Sequence, residues 1–231
     1  MNVLITGGSK GIGKAIAEQF ASNGHNVFLC ARNEKDLSAV AQSLKKSGVT
    51  VLTFSGDISQ KAVAISLSER LKENNFVPDV LVNNAGTFIP GSIYNEPDGV
   101  LEQMISVNLY SAYHVSRAVI PSMIKNKSGH IFNICSIASL NAYANGGAYS
   151  ISKFALAGFS KNLREEMKPF NIKVTAVYPG AVYTASWEGS GVSTDRIMEA
   201  DDIAKMVFSA SFLSPQACVE DIIVRPQLGD L

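Results

Sequence analysis

The stretch LITGGSKGIGKAIAEQF, Leu4–Phe20, reads as a short apolar strand, a glycine turn and an amphipathic helix. Gly7, Gly11 and Gly13 follow the pattern G-x-x-x-G-x-G. Gly7 allows the tight turn, Gly11 lets a backbone approach a diphosphate, and Gly13 permits close packing of helix on strand. The helix that opens behind the loop points unpaired N–H groups and the positive end of its dipole at the same place. The glycines follow a strand directly and open a helix, which is the context a nucleotide-binding loop requires. Their spacing departs from the common G-x-G-x-x-G fingerprint.

Beyond this stretch the alternation continues. Apolar runs stand at 2–6, 26–31, 49–54, 79–84, 130–135, 172–179 and 221–226, and helical patterns lie between them at about 11–23, 34–47, 60–74, 98–126, 147–168 and 200–211. The runs are rich in Val and Ile and mostly continuous, as suits strands of a parallel sheet covered on both faces. Strand, helix, strand throughout predicts an open α/β sheet with right-handed crossovers in one domain, 1–231. The loose stretch ASWEGSGVSTDRIME, 185–199, is read as an inserted loop that orders over a substrate, not as a domain boundary.

Bulk composition narrows the function classes. The 231 residues are 46% hydrophobic and 17% charged, with 20 basic against 20 acidic residues. That balance gives no footprint for nucleic acid or an anionic membrane. No apolar run reaches the length of a membrane span, and MNVLITGG lacks the parts of a signal peptide. Cys30, Cys135 and Cys218 are read as buried thiols of a reducing, cytoplasmic compartment. His25, His114 and His130 lack metal-ligand spacing, so no metal site is expected.

A second stretch, AYSISKFALAGF at 148–159, sets Tyr149 and Lys153 four residues apart, on one face if the segment is helical. A free tyrosine has a pKa near 10. A neighbouring ammonium favours the phenolate and brings that value down, so the pair suits acid–base work.

The motifs, in their order, resemble those of the short-chain dehydrogenase/reductase family. TGGSKGIG (6–13) is similar to its cofactor loop, with Gly7, Ser9, Lys10, Gly11, Ile12 and Gly13 as candidate contacts. GDIS (56–59) looks like the adenine turn, with Asp57 near the base and Ile58 against it. NNAG (83–86) brings Asn84, Ala85 and Gly86, SVNL (106–109) brings Asn108, and ICSIAS (134–139) brings Ser136. YSISK (149–153) and YPGAVYT (178–184) follow, the latter with Pro179, Gly180, Val182 and Thr184 under a nicotinamide. The resemblance implies a Rossmann-type, doubly wound, seven-stranded parallel sheet, a homodimer or homotetramer packed through the helices near 98–126 and 147–168, and a small carbonyl substrate.

In that family Tyr149 would protonate a carbonyl oxygen held by the Ser136 hydroxyl while the nicotinamide delivers hydride. Lys153 would tune the phenol, and a water on the Asn108 backbone would complete a proton relay. Ser139 follows the same strand, but Ser136 keeps the family's spacing to Tyr149. Asn108 is open to a second reading, as a kink or cap within its helix. For the cofactor, Ala31 stands where NAD enzymes of this fold place an acid, with Arg32 beside it and Lys10 on the glycine loop. Two cations and no carboxylate favour NADP(H) over NAD(H).

The substrate wall is expected from Phe88, Ile89, Tyr94, Leu140, Tyr143 and Trp187. It would suit a 3-oxoacyl thioester, a sepiapterin-type ketone or a xenobiotic carbonyl. The ending VEDIIVRPQLGDL is expected to leave the site open at that end. Two other readings are a dinucleotide-binding sensor or scaffold without turnover, and a nucleotide-sugar epimerase. The intact Tyr, Lys, Ser and Asn set argues against the first. The glycine spacing argues against the second.

Overall fold

The computed structural model describes residues 1–187, 189 and 191–230. Seven parallel strands form one sheet: β1 (Asn2–Thr6), β2 (Asn26–Ala31), β3 (Val51–Ser55), β4 (Val80–Asn83), β5 (Gly129–Ile134), β6 (Ile172–Pro179) and β7 (Asp221–Val224). Their spatial order is β3-β2-β1-β4-β5-β6-β7. The chain winds outward from β1 to β3, then returns to place β4 on the other side of β1. That reversal opens a crevice above the C-terminal ends of β1 and β4, where ligands of such sheets bind. The helices are α1 (Gly11–Ser22), α2 (Glu34–Leu44), α3 (Lys61–Glu73), α4 (Val100–Ile105), α5 (Ser111–Asn126), α6 (Gly147–Met167) and α7 (Ala200–Ser211).

The continuous apolar runs serve both faces because side chains alternate along a strand. Val3, Ile5, Val27, Leu29, Val80 and Val82 point to one side, with Ile16 and Phe20 of α1, Leu37 of α2 and Val207 of α7. Leu4, Phe28, Leu81, Ile131 and Val174 point to the other, with Leu67 of α3, Val119 of α5 and Leu163 of α6.

One polar chain crosses this second layer. The Asn83 amide donates to the Asn133 side-chain oxygen at 2.8 Å and to the Ser116 hydroxyl at 2.9 Å. The Asn133 amide donates to the Ser160 hydroxyl at 2.9 Å. All four residues are buried.

The structure departs from the sequence reading in three places. The helix expected over 98–126 is broken. Between α4 and α5 lies a wider π turn, Ser106–Tyr110, in which the Ser111 N–H reaches back to the Ser106 carbonyl. Cys30 and Cys135 are buried, and burial pushes their thiols up to about 12 and about 11. Cys218 is exposed, because it lies on the connection into β7 instead of in the strand. The chain after β7 does not leave the site open: it folds back, Arg225 pairing with the Asp230 carboxylate. Of the loop 185–199, Glu188 and Ser190 lie outside the described residues. Near its end, Met198 bridges to Val182, which precedes the loop. No helix among the described residues is long and apolar enough to cross a membrane.

Candidate active site

The glycine loop is shaped by contacts that admit no side chain. Gly7 and Gly11 have φ of +65° and +55°, in the left-handed region. A Cβ on Gly13 would stand 2.4 Å from the Gly7 carbonyl oxygen and from the Asn84 amide nitrogen. That amide donates to the Thr6 and Gly7 carbonyls at 3.0 and 3.1 Å. The Thr6 hydroxyl accepts from the Asn84 and Ala85 N–H groups, each at 3.0 Å. The NNAG segment after β4 therefore braces the loop after β1. Across the crevice, a Cβ on Gly11 would lie 3.2 Å from the Thr184 methyl. Helix α1 starts with no side-chain cap and no acid in its first turn. Its first N–H groups thus present a positive end to the crevice with no carboxylate of their own helix to neutralise it.

Ser136, Tyr149 and Lys153 converge beside this loop. Ser136 lies two residues beyond the end of β5, with its Oγ accepting from the Ala138 N–H at 3.1 Å. Tyr149 and Lys153 lie one turn apart on α6. Burial holds the Tyr149 phenol above its ordinary range, and the nearby Ser136 hydroxyl opposes this only in part. Phe88 meets the Tyr149 ring edge-on at 4.8 Å. Lys153 is 6% exposed, and its ammonium donates to the Ile134 carbonyl at 2.9 Å. Burial lowers it to about 8. The ammonium sits 5.8 Å from the Tyr149 ring centroid. Burial is the largest influence on the phenol in this structure, and it acts against the phenolate.

Asn108 lies within the π turn and is wholly buried. Its side-chain oxygen accepts from the Thr87 N–H at 2.8 Å, while its amide donates to the Thr87 carbonyl at 3.1 Å and to the Ser152 hydroxyl at 2.9 Å. It ties the loop after β4 to the helix carrying Tyr149 and Lys153. Ser139 is turned away. Its hydroxyl accepts from the Ser136 N–H at 3.2 Å, forming a reciprocal cap with Ser136.

These groups face a cavity of about 830 Å³. Of the residues singled out in the sequence, Lys10, Gly11, Ile12, Asn84, Gly86, Ser136, Tyr149, Lys153, Pro179, Gly180, Val182 and Thr184 line it. Gly7, Ser9, Gly13, Ala85 and Asn108 are not among its lining residues. Arg32, Asp57 and Ile58 lie apart, beyond the ends of β2 and β3. Arg32 is exposed, Ile58 is packed into the core, and Asp57 accepts from the Ser59 N–H and hydroxyl at 3.1 and 2.8 Å.

The apolar wall is corrected in part. Phe88, Tyr143 and Trp187 line the cavity; Ile89, Tyr94 and Leu140 do not, Tyr94 being 87% exposed. Asp230 was missed. It reaches the rim against Gly180, in a segment held by the Arg196 guanidinium, which donates to the Gly229 and Asp230 carbonyls at 3.0 and 3.3 Å. Nothing in the local sequence pattern signals that return.

Comparison with known proteins bears on this geometry. The family described as short chain dehydrogenase matches residues 1–192. A sepiapterin reductase of Chlorobaculum tepidum is 32% identical over 240 residues, covering 99% of this chain and 97% of that protein. A metagenomic short-chain oxidoreductase solved in complex with NADP superposes with a TM-score of 0.86 at 32% identity, over 98% of this chain and 97% of the other. The L-sorbose reductase of Gluconobacter frateurii, solved with NADPH and L-sorbose, gives a TM-score of 0.89 at 28% identity, over 97% and 95%. With a family match over most of its length, and a relative above 30% identity along nearly all of it, the chain belongs to the short-chain dehydrogenase family.

Proposed function

We propose that the protein is an NADP(H)-dependent reductase of a ketone or aldehyde. The observation that carries this reading is the Tyr149–Ser136 hydroxyl pair beside buried Lys153, facing a cavity next to the open N-terminus of α1. The residues present fit a dinucleotide. The loop at Gly7, Gly11 and Gly13 is a cradle that a Cβ would fill, and α1 offers unneutralised N–H groups to a diphosphate. Gly7, Ser9, Lys10, Gly11, Ile12 and Gly13 would hold the phosphates, and Asp57 and Ile58 the adenine end. Asn84, Ala85 and Gly86, with Pro179, Gly180, Val182 and Thr184, would hold the nicotinamide end. Lys10 and Arg32 would meet a 2′-phosphate. The chemistry such a cofactor supplies when bound is hydride transfer to a carbonyl carbon.

The chain's own work is the proton. A phenol held above its usual range stays protonated at neutral pH and is an acid ready to give its proton to a carbonyl oxygen. The Ser136 hydroxyl holds that oxygen beside the Tyr149 hydroxyl. Lys153, with a value near 8, exchanges a proton close to neutrality and can restore the phenol after turnover. Asn108 fixes the loop and helix on either side of this path and stands where its backbone would anchor the relay water.

Gly, Phe and Trp contacts at the cavity leave the substrate open among small ketones, sepiapterin-type side chains and 3-oxoacyl thioesters, and proteins named for each kind of substrate stand among the similar ones. We also propose a homodimer through α4–α6, where Leu101, Tyr110, Tyr113, Ile151 and Phe154 are exposed.

The test is NADPH oxidation with a panel of carbonyl compounds, including sepiapterin and an acetoacetyl thioester. Tyr149→Phe should lower turnover at least about a hundredfold with cofactor affinity retained. Turnover unchanged in that variant would overturn the assignment.

A further inference from the structure

The loop between β4 and α4 carries Thr87 and Phe88 into the site and then crosses the first turn of α6. It is fastened there at three points. The Gly91 N–H donates to the Asn145 carbonyl at 3.2 Å, and the Ser92 hydroxyl donates to the Asn145 side-chain oxygen at 2.7 Å. The Glu96 carboxylate accepts from the Ala148 N–H at 3.2 Å. Gly147, with φ of +33°, permits the approach. A Cβ there would stand 2.4 Å from the Gly91 carbonyl oxygen and 2.7 Å from Glu96 Oε2. Gly146, at the cap position of α6, supplies no side chain. An N–H group at the start of the helix is instead satisfied by a carboxylate 52 residues earlier in the chain.

We propose that Glu96 is a positioning residue for Tyr149. The inference rests on the reading of Tyr149 as the proton donor. Ala148 directly precedes Tyr149, which is the third residue of α6. The first turn of a helix frays unless its N–H groups find partners. Proton transfer tolerates displacements of only about 0.5 Å. The loop itself is pinned at its near end, where Asn108 binds both backbone groups of Thr87. Phe88, next in sequence, rests against the Tyr149 ring. Glu96 is the far pin, so removing it loosens both the turn that carries the phenol and the ring that buttresses it. Glu96 does not line the cavity and acts only through this clasp.

The experiment compares Glu96→Ala, Glu96→Gln and Tyr149→Phe in the full chain, with folding checked by thermal melting and NADPH affinity by fluorescence titration. Glu96→Ala should lower kcat by about tenfold to a hundredfold, with NADPH affinity unchanged within about twofold. Glu96→Gln, whose amide oxygen still accepts from an N–H, should restore kcat to within about threefold of wild type. Glu96→Ala retaining full kcat while Tyr149→Phe is inactive overturns the role of Glu96 alone. Loss of cofactor affinity in step with kcat also overturns it, marking a general structural defect, as does failure of glutamine to rescue. Tyr149→Phe retaining activity sinks the underlying reading instead.

Discussion

At the scale of single residues, the site rests on groups whose hold on a proton is shifted by burial from its value in water. Lys153 shows the cost. Its value falls to about 8 in the folded chain against 10.5 when exposed, so the folded state binds the proton less tightly. Below pH 8 the lysine is charged in both states, and burying the charge costs about 3 kcal/mol by linkage. Between pH 8 and 10.5 the unfolded chain holds the extra proton, so stability rises with pH across that window. Lys153→Met should therefore abolish turnover yet raise the melting temperature at pH 7, less whatever the bond to Ile134 contributes. The gain should shrink towards zero as pH approaches 10.5, read by melting curves over that range. Cofactor choice is also decided by single side chains. Lys10→Ala combined with Arg32→Ala should weaken NADPH at least about tenfold and leave NADH nearly unchanged, both charges being exposed and screened. Parallel loss of both cofactors, measured by titration, would refute the 2′-phosphate assignment. Tyr149 and Lys153 stood out in the sequence through their helical spacing, and Ser136 through the interval that the family resemblance implies. Asp230 and Glu96 did not, since each reaches the site through a loop whose path only the tertiary structure defines.

At the scale of elements, strands and helices were read to within a few residues because hydrophobic runs and turn residues mark them. The break at Ser106–Tyr110 was visible only as the second reading of Asn108, a kink within its helix. A π turn inserts one residue into a helix without any residue type that forbids the α form, and the apolar pattern runs straight through it. Its cause lies elsewhere in the fold: Asn108 is drawn in by Thr87 and Ser152. The junction of β1, its loop and α1 was legible for the opposite reason, as glycines recorded the contact directly. Gly13→Ala sets a methyl against the Gly7 carbonyl and against the Asn84 amide, which is itself held by the Thr6 and Gly7 carbonyls. It should destabilise the protein by about 1–3 kcal/mol and reduce dinucleotide affinity more than tenfold. Denaturant unfolding and cofactor titration of that variant check both parts; an alanine accommodated without loss of affinity would show that the loop moves as a body.

At the scale of the whole molecule, the sheet is closed at its β7 edge by Arg164. This buried guanidinium donates to the Val174 carbonyl at 2.9 Å and pairs with Asp221 at 3.0 Å and Glu220 at 3.3 Å. In the proposed dimer, the exposed aromatic and aliphatic side chains of α4–α6 would form the interface. Phe154, 45% exposed, is a sensitive point on it. Phe154→Glu should convert a dimer to a monomer in sedimentation velocity without unfolding it; an unchanged sedimentation coefficient would place the interface elsewhere. The buried polar chain across the middle of the sheet has a different consequence. When both faces of a sheet are greasy, sliding one strand past its neighbour by a residue or two costs little in hydrophobic burial, so apolar patterning alone leaves the alignment ambiguous. Asn83 and Asn133 stand directly opposite each other on β4 and β5. Any slipped alignment separates them and strands their amides, with Ser116 and Ser160, in a waterless layer at several kcal/mol in all. The four residues thus act as a checksum on assembly, rejecting near-miss sheets in which the strand ends would no longer bring Ser136 opposite the phenol.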